Sequence, residues 1–323
     1  MFSIATDTSA NLDCRLAEKY GLTVIPFSYY VNGEENTCTD TVGFDGAAFY
    51  AAMRAGAKVV TSQITPERYL EAMRPILARG QDILFVGMSS GISGSYNSAE
   101  MAAAQLREEF PERVIRTVDT LGASLGEGLL AVKAVECRDA GMSLEDTYAL
   151  LERLRHSMCQ VFTVEDLKYL RNTGRLSNVA AIVGMVLNIK PLLKGDTEGK
   201  IVSFAKVRGR KASIQAMAQR YDEFVCDAGE QIVGIAHADC QDDVNTLIGL
   251  LNAKHPPKEI MTVMYEPVTG SHVGPGTLAL FFLGDKSFRG RQDGLLSAIA
   301  QKAEGIAQKA GDIAQKAEDM IKR

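Results

Sequence analysis

The strongest constraint on the fold of this chain is the alternation of strand-like and helix-like segments across residues 1–139. Short runs rich in β-branched residues precede longer segments with apolar residues at helical spacing. TVIPFSYYV is predicted as one strand, DILFVGM comes before residues 98–109, and VIRTVDT comes before residues 123–139. Strands that alternate with helices usually pair in parallel, because each helix carries the chain back across the sheet. The first half is therefore predicted to be an α/β domain with a mostly parallel sheet and helices on both faces.

The pattern changes near residue 160. The apolar segment NVAAIVGMVL predicts a helix, and the turn GDTEGK and the strand KIVSFAKV follow it. Two further strand-like runs, QIVGIAHA and EIMTVMYE, flank a helical segment at 242–254, and LALFFLGD closes the unit. This order predicts a smaller α+β domain. The predicted organisation is an N-terminal domain at 1–160, a C-terminal domain at 161–285 and a tail at 286–323.

The tail contains a seven-residue repeat. Ile299, Ile306 and Ile313 recur at that spacing, and an alanine follows each of them four residues later. Isoleucine and alanine then share one stripe of a helix while polar residues cover the rest. The repeat predicts a terminal helix, either solvated or loosely docked. Self-association through the stripe and a membrane-surface role are open alternatives, although the near-balanced charge of the tail weakens the second.

Composition narrows the possible partners. The chain has 323 residues, a net charge of −5 and six scattered cysteines without a C-x-x-C pair. An acidic chain offers no basic field for nucleic acid, and the cysteines resemble free thiols of a reducing compartment. The longest uncharged apolar run, at 179–187, is half of what a membrane span needs. We expect a cytoplasmic protein with no nucleic-acid partner and no membrane span.

One short motif suggests catalysis. Gly87 to Gly91 matches G-x-S-x-G directly after a predicted strand, which is the pattern of a serine-hydrolase nucleophile elbow around Ser89. Such an elbow needs a helix to start at once, whereas a further hydroxyl- and glycine-rich stretch delays the predicted helix to about Ser98. None of the four histidines, His156, His237, His255 and His272, has a local signature of a catalytic base. A serine hydrolase or esterase is kept as the alternative function.

The same loop can also hold an anion. Ser89, Ser90, Ser93 and Ser95 follow a predicted parallel strand and precede a helix, and glycines free the backbone amides between them. No P-loop, dinucleotide fingerprint or metal-ligand spacing accompanies them, so neither a cofactor nor a metal is predicted. A plain serine- and glycine-rich loop is the simpler interpretation.

Several segments together resemble one family. SGISGSYNSA is similar to the SSG-x-SGTY-x-SA segment of the DegV family of bacterial fatty-acid-binding proteins. ATDTSANL resembles its D-S-x-x-L opening, and VTSQITP resembles its T-S-Q-P-S-P loop. YLRNTGRLS, KVRGRKAS and GSHVGPG are similar to its L-x-x-G-G-R-I-S, R-x-R-K-x-A and G-x-H-x-GPG segments. The resemblance covers residues 3 to about 285.

The resemblance implies a non-catalytic lipid-binding protein. Family members hold one long-chain fatty acid with its acyl chain buried between the domains and its carboxylate bound by loop hydroxyls. The matching positions here are Thr61 and Ser93, with supporting contacts from Ser62, Gly94 and His272. Phe27, Tyr29, Met88, Ile92 and the helix at 179–187 are candidates to line an acyl tunnel, although simple core packing is an open alternative for them.

The resemblance also implies a partner. Family members present the carboxylate to a separate ATP-dependent fatty-acid kinase, which forms an acyl-phosphate for phospholipid metabolism. Arg175 and Arg208 match family arginines associated with that kinase or with the phosphorylated product, and Arg210 is a nearby candidate. An arginine suits this role because its planar guanidinium donates two parallel hydrogen bonds to phosphate.

Overall fold

The computed structural model describes residues 2–39, 41–177 and 188–290. The predicted helix at 178–187 and the repeat tail beyond residue 290 lie outside the described residues. Residues 1–289 cluster into one compact unit. The elements of its first half are β1 Ser3–Asp7, α1 Cys14–Tyr20, β2 Leu22–Ile25, β3 Ser28–Val31, β4 Glu34–Thr37, α2 Gly46–Arg54, β5 Val59–Ser62, α3 Pro66–Ala78, β6 Ile83–Gly87, α4 Ser95–Glu109, β7 Ile115–Asp119, α5 Leu125–Asp139 and α6 Leu144–Leu154.

The second half begins with a strand. Its elements are β8 Met158–Thr163, α7 Lys168–Asn172, β9 Ile189–Gly195, β10 Ile201–Arg208, α8 Arg210–Phe224, β11 Ile232–His237, α9 Gln241–Lys254, β12 Glu259–Met264, α10 Pro267–Val273, β13 Leu278–Leu283 and α11 Ser287–Gly290.

Two main sheets organise these elements. The first is parallel throughout, in the order β2-β1-β6-β7. The second is mixed, in the order β10-β9-β8-β13-β11-β12, and only its β11–β12 pair is parallel. The predicted fold class, a parallel α/β sheet followed by an α+β unit, is confirmed. The connection from β1 to β2 and the connection from β6 to β7 run in opposite directions along the sheet. A crevice therefore opens between β1 and β6 at the carboxyl edge of the sheet, which is where α/β folds bind ligands.

Helix α5 joins the two sheets through a shared core. Eleven of its fifteen residues are buried, because it packs on β1 and β6 of the first sheet and also on β8, β11 and β13 of the second. Its apolar residues cover the faces that meet the two sheets, while Lys133 and Glu136 form an ion pair at the surface. The glycine-rich stretch at 121–128 packs closely against the second sheet, because a Cβ atom at Gly126 would lie 2.6 Å from Gln160 Oε1.

Two sequence predictions of local structure were wrong. The run TVIPFSYYV was predicted as one strand, but it forms β2 of the first sheet and β3 of a separate antiparallel sheet, β4-β3-β5. Pro26 lies at the break, because proline cannot donate a ladder hydrogen bond. Helix α4 begins at Ser95 rather than near Ser98. Its first amide has a partner, since the Ser95 N–H donates to Ser93 Oγ at 3.2 Å.

Candidate functional site

A cavity lies at the carboxyl edge of the parallel sheet, and both sheets contribute to its wall. The space free of protein atoms is about 990 Å³, counting the open mouth. Its apolar lining includes Phe27, Met88, Ile92, Phe162, Val268 and Phe281. Three of the predicted tunnel residues, Phe27, Met88 and Ile92, therefore face the cavity. Tyr29 does not line it and instead packs edge-on against Phe49.

All five predicted carboxylate-binding residues line this cavity. Thr61 and Ser62 come from the end of β5, Ser93 and Gly94 come from the loop before α4, and His272 comes from α10. Thr61 and His272 are 211 residues apart in sequence, and Thr61 Oγ1 lies 2.8 Å from His272 Nε2. The fold thus brings three separate segments of the chain to one polar part of an otherwise apolar wall.

His272 is neutral at neutral pH. Burial, and to a lesser extent the nearby positive charge of Arg175, lower the pKa of its imidazole to about 4. Within the described part of the chain, Nδ1 has no hydrogen-bond partner. If Nε2 carries the proton, it donates to Thr61 Oγ1, and the Thr61 hydroxyl proton can then be donated to a ligand. If Nδ1 carries the proton, the Nδ1–H group can itself donate to a ligand. In either tautomer the pair keeps one donor for a ligand.

Ser93 links the loop before α4 to the segment after β5. Its hydroxyl donates to Ser95 Oγ at 3.0 Å, and Ser95 Oγ also accepts the backbone N–H of Ile64 at 3.0 Å. A serine hydroxyl rotates freely, so Ser95 can donate to Ser93 instead and leave the Ser93 proton for a carboxylate. Gln63, which the sequence analysis missed, also lines the cavity and lies against Gly94.

Ser89 is placed as a structural residue. Its side chain is buried, its hydroxyl donates to the carbonyl oxygen of Gly199 at 2.9 Å, and its Oγ accepts the N–H of Gly91 at 3.1 Å. Both partners are backbone groups, whereas a nucleophile needs a side-chain base within hydrogen-bond distance. The geometry therefore gives no support to the esterase alternative.

The three predicted arginines occupy different places. Arg175 lines the cavity, and its guanidinium donates to the carbonyl oxygen of Thr173. Arg208 is exposed at the end of β10, and Arg210 begins α8 and pairs with Asp243 at 2.8 Å. Neither of these two is part of the cavity wall. The structure therefore places only Arg175 at the cavity.

A segment that the sequence analysis did not assign to the site also forms part of the wall. Residues 121–124 follow β7 and line the cavity together with Gln160 of β8. Leu121 and Ser124 both adopt a positive φ of 54°, which is uncommon for residues other than glycine. Their types gave no signal of this, because leucine and serine are ordinary residues in a loop.

Buried acids lie behind the polar part of the site. Ser9 Oγ is 2.5 Å from Asp7 Oδ1 and 2.6 Å from Glu127 Oε2. One hydroxyl can donate to only one of two carboxylates, so the other carboxyl carries a proton and donates to Ser9. Burial raises the pKa of Asp7 to about 6 and raises that of Glu127 well above its usual range. We call Asp7, Ser9 and Glu127 the buried acid cluster.

The described residues contain no group of three or more histidine, cysteine, aspartate or glutamate side chains arranged to hold a metal ion. Within the same ranges, no helix is both long and apolar enough to pass through a membrane.

Fold and cavity together define a class: a two-sheet α/β protein whose sheets share an apolar ligand cavity with neutral hydrogen-bond donors in its wall. The chain belongs to the DegV family, whose family model, described as "Uncharacterised protein, DegV family", matches residues 1–285. The family resemblance seen in the sequence is confirmed.

Individual relatives agree with this assignment. The DegV domain-containing protein CPE0026 of Clostridium perfringens is 36% identical over 284 residues, which are 88% of this chain and 98% of that protein. A solved DegV family protein from Thermus thermophilus, described for its fatty-acid binding, superposes with a TM-score of 0.80 at 29% identity and covers 88% of this chain and 99% of its own. DegV of Bacillus subtilis, described as a fatty acid binding protein, gives a TM-score of 0.74 at 28% identity, with coverages of 88% and 99%.

Proposed function

We propose that this protein binds one long-chain fatty acid in the cavity and presents its carboxylate to a separate ATP-dependent kinase for acyl-phosphate formation. The observation that carries the proposal is the convergence of Thr61, Ser93 and His272 on an apolar cavity. It is supported by the similarity to solved DegV proteins that are described as fatty-acid-binding.

The chemistry of the cavity matches the two ends of a fatty acid. Each buried methylene contributes about 0.8 kcal/mol, so about fourteen of them contribute ~11 kcal/mol before the costs of association. Hydroxyls and a neutral imidazole orient a carboxylate without the bidentate clamp that an arginine would impose. A carboxylate held in this way remains available for reaction with a phosphoryl group, which suits a carrier that does not itself hold ATP.

Loss of the hydroxyl donors is expected to release the ligand. Ser93→Ala and Thr61→Val each remove a hydrogen bond to a charged group, and such a bond is worth about 1.5–3 kcal/mol, so affinity should fall by about tenfold to a hundredfold. Mass spectrometry of the organic extract from denatured protein gives the moles of fatty acid per mole of chain. Ser287→Ala, at an exposed serine of α11 away from the cavity, is the matched control. Equal lipid content in wild type, Ser93→Ala and Thr61→Val would refute this site, and a wild type that takes up no fatty acid would refute the function.

The proposed kinase contact makes a separate prediction. Arg208 is exposed and outside the cavity wall, so Arg208→Ala should leave fatty-acid affinity unchanged and slow acyl-phosphate formation by about tenfold, since a charge-assisted contact to phosphate is lost. The assay combines loaded protein, the fatty-acid kinase of the same organism and radiolabelled ATP. Arg79→Ala, at an exposed arginine after α3, is the control. An unchanged rate in Arg208→Ala would remove this residue from the proposed contact.

A further inference from the structure

The 121–124 segment is held in an unfavourable backbone conformation next to the cavity. Leu121 and Ser124 both have a φ of 54°, and Leu121 lies two residues after the end of β7 at Asp119. A positive φ at a residue other than glycine costs about 1–3 kcal/mol and persists only where surrounding contacts impose it. Asp119 holds the Leu121 N–H from the first sheet, and the second sheet and the helix after it hold the Leu121 carbonyl.

Arg289 is the first source of these contacts. It is only 3% exposed, and its guanidinium donates to three backbone carbonyl oxygens: Leu121 at 3.0 Å, Asp196 at 3.0 Å and Met158 at 3.1 Å. These three carbonyls belong to the segment after β7, the turn after β9 and the start of β8. In the described ranges, none of its hydrogen bonds goes to a carboxylate. The side chain therefore fixes the positions of three backbone segments relative to one another.

Gln160 of β8 is the second source. Its Nε2 donates to the same Leu121 carbonyl oxygen at 3.1 Å, and its Oε1 accepts the N–H of Ala123 at 3.3 Å. The Leu121 carbonyl thus accepts from two buried side chains that both belong to the second half of the chain. An acceptor with two lone pairs is fully used by this arrangement.

The clamped segment in turn holds the carboxylate loop. The carbonyl oxygen of Gly122 accepts the N–H of Ser89 at 2.8 Å, and the carbonyl oxygen of Ser89 accepts the N–H of Ser93 at 3.2 Å. A continuous series of hydrogen bonds, joined by the backbone of residues 121–122 and by that of Ser89, therefore runs from Arg289 and Gln160 to Ser93. Arg289 itself is not part of the cavity wall.

We propose that Arg289 and Gln160 are positioning residues of the fatty-acid site, which clamp the Leu121 carbonyl and thereby fix the backbone that carries Ser93. This inference rests on the proposed function. Arg289 is the sharper of the two to test, because it acts on the site from outside the cavity, whereas Gln160 also faces the ligand space.

The experiment compares two neighbours on α11. Arg289→Met removes all three carbonyl contacts, while Phe288→Leu disturbs the core around Phe204, Phe224 and Phe282 without touching the 121–124 segment. For each variant the thermal midpoint of the lipid-free protein is measured, and so is the affinity for the fluorescent fatty acid cis-parinaric acid. We expect Arg289→Met to weaken binding by about tenfold and Phe288→Leu to change it by less than about twofold. The change in affinity is compared for equal decreases in the thermal midpoint, so that a general loss of stability does not account for the difference.

Arg289→Lys is measured in parallel, because it is the less disruptive change: it keeps the positive charge and one donor group, the ammonium. It should weaken binding less than Arg289→Met does, but more than Phe288→Leu. If the arginine variants lose only as much affinity as Phe288→Leu at matched stability, the residue is merely structural and the inference is wrong. If the wild-type protein binds no cis-parinaric acid and takes up no natural fatty acid, the proposed function has failed instead.

Discussion

Replacing Gly199 with alanine is expected to force the turn after β9 away from the loop after β6 and to cost about 2–4 kcal/mol of unfolding free energy. The backbone of Gly199 has a φ of +72°, where an alanine loses about 1 kcal/mol. The added Cβ would also lie 2.1 Å from Ser89 Oγ and 2.9 Å from Leu121 Cα. Relief of such a clash within a packed interior costs about 1–3 kcal/mol.

Urea denaturation measures this loss, and Gly141→Ala is the matched control. Gly141 has a φ of +83°, but a Cβ atom there meets nothing within 4 Å, so the control carries the conformational cost alone, about 1 kcal/mol. Because Gly199 lines the cavity, the variant should also retain less fatty acid than Gly141→Ala does. Equal losses of stability in the two variants would mean that the turn moves aside without cost.

The second large effect is that buried acids contribute less to stability as the pH rises. Burial raises the pKa of Asp7 from 3.8 to about 6, and the same cause raises the pKa of Glu266 to about 7. Between about pH 4 and about pH 7 these carboxyls bind more protons in the folded chain than in the unfolded chain, so their contribution to the unfolding free energy decreases as those protons are lost, whereas the lowered pKa of His272 acts in the opposite direction. For Asp7 alone, the difference between 3.8 and about 6 corresponds to about 3 kcal/mol.

Glu127→Gln tests the source of this pH dependence. A glutamine amide still reaches Thr6 and Ser9 but removes one of the two carboxyls that share the Ser9 hydroxyl, so the fall in stability with pH should become shallower. Urea midpoints across the range provide the comparison. Glu136→Gln is the control. Glu136 is an exposed glutamate of the same helix that pairs with Lys133 at 2.9 Å, so its replacement should change stability by less than about 0.5 kcal/mol at every pH. A Glu127→Gln protein with the slope of the wild type would rule out the buried acid cluster as the cause.

Sequence reasoning predicted the architecture well where the local signal was periodic. The alternation around β6 and β7 identified the parallel sheet, and the segments around Thr61, Ser93 and His272 carried a family resemblance. Periodicity and spacing could not have brought Thr61 and His272 together, because 211 residues separate them, and only the family resemblance assigned both to one site. The direct contact between the two side chains depends on the sheet order, which the folded chain reveals.

Arg289 illustrates the opposite case. Its partners are backbone carbonyls, and every residue has one, so nothing about Leu121, Met158 or Asp196 as residue types predicts the contacts. The break in TVIPFSYYV was missed for a different reason. Its β-branched and aromatic residues outweighed the single proline at position 26 that divides the run between two sheets.

The pairing of Thr61 with His272 also constrains when a complete cavity first exists during synthesis. A ribosome adds about 5–20 residues per second, so the 211 residues between the two side chains take roughly 10–40 seconds to make. Once residue 119 has been added, all four strands of the parallel sheet are present in the nascent chain, but Val268 and Phe281, which cover part of the apolar wall, are not. The lipid site is thus among the last parts of the fold to be finished, and until then Phe27, Met88 and Ile92 lack these partners.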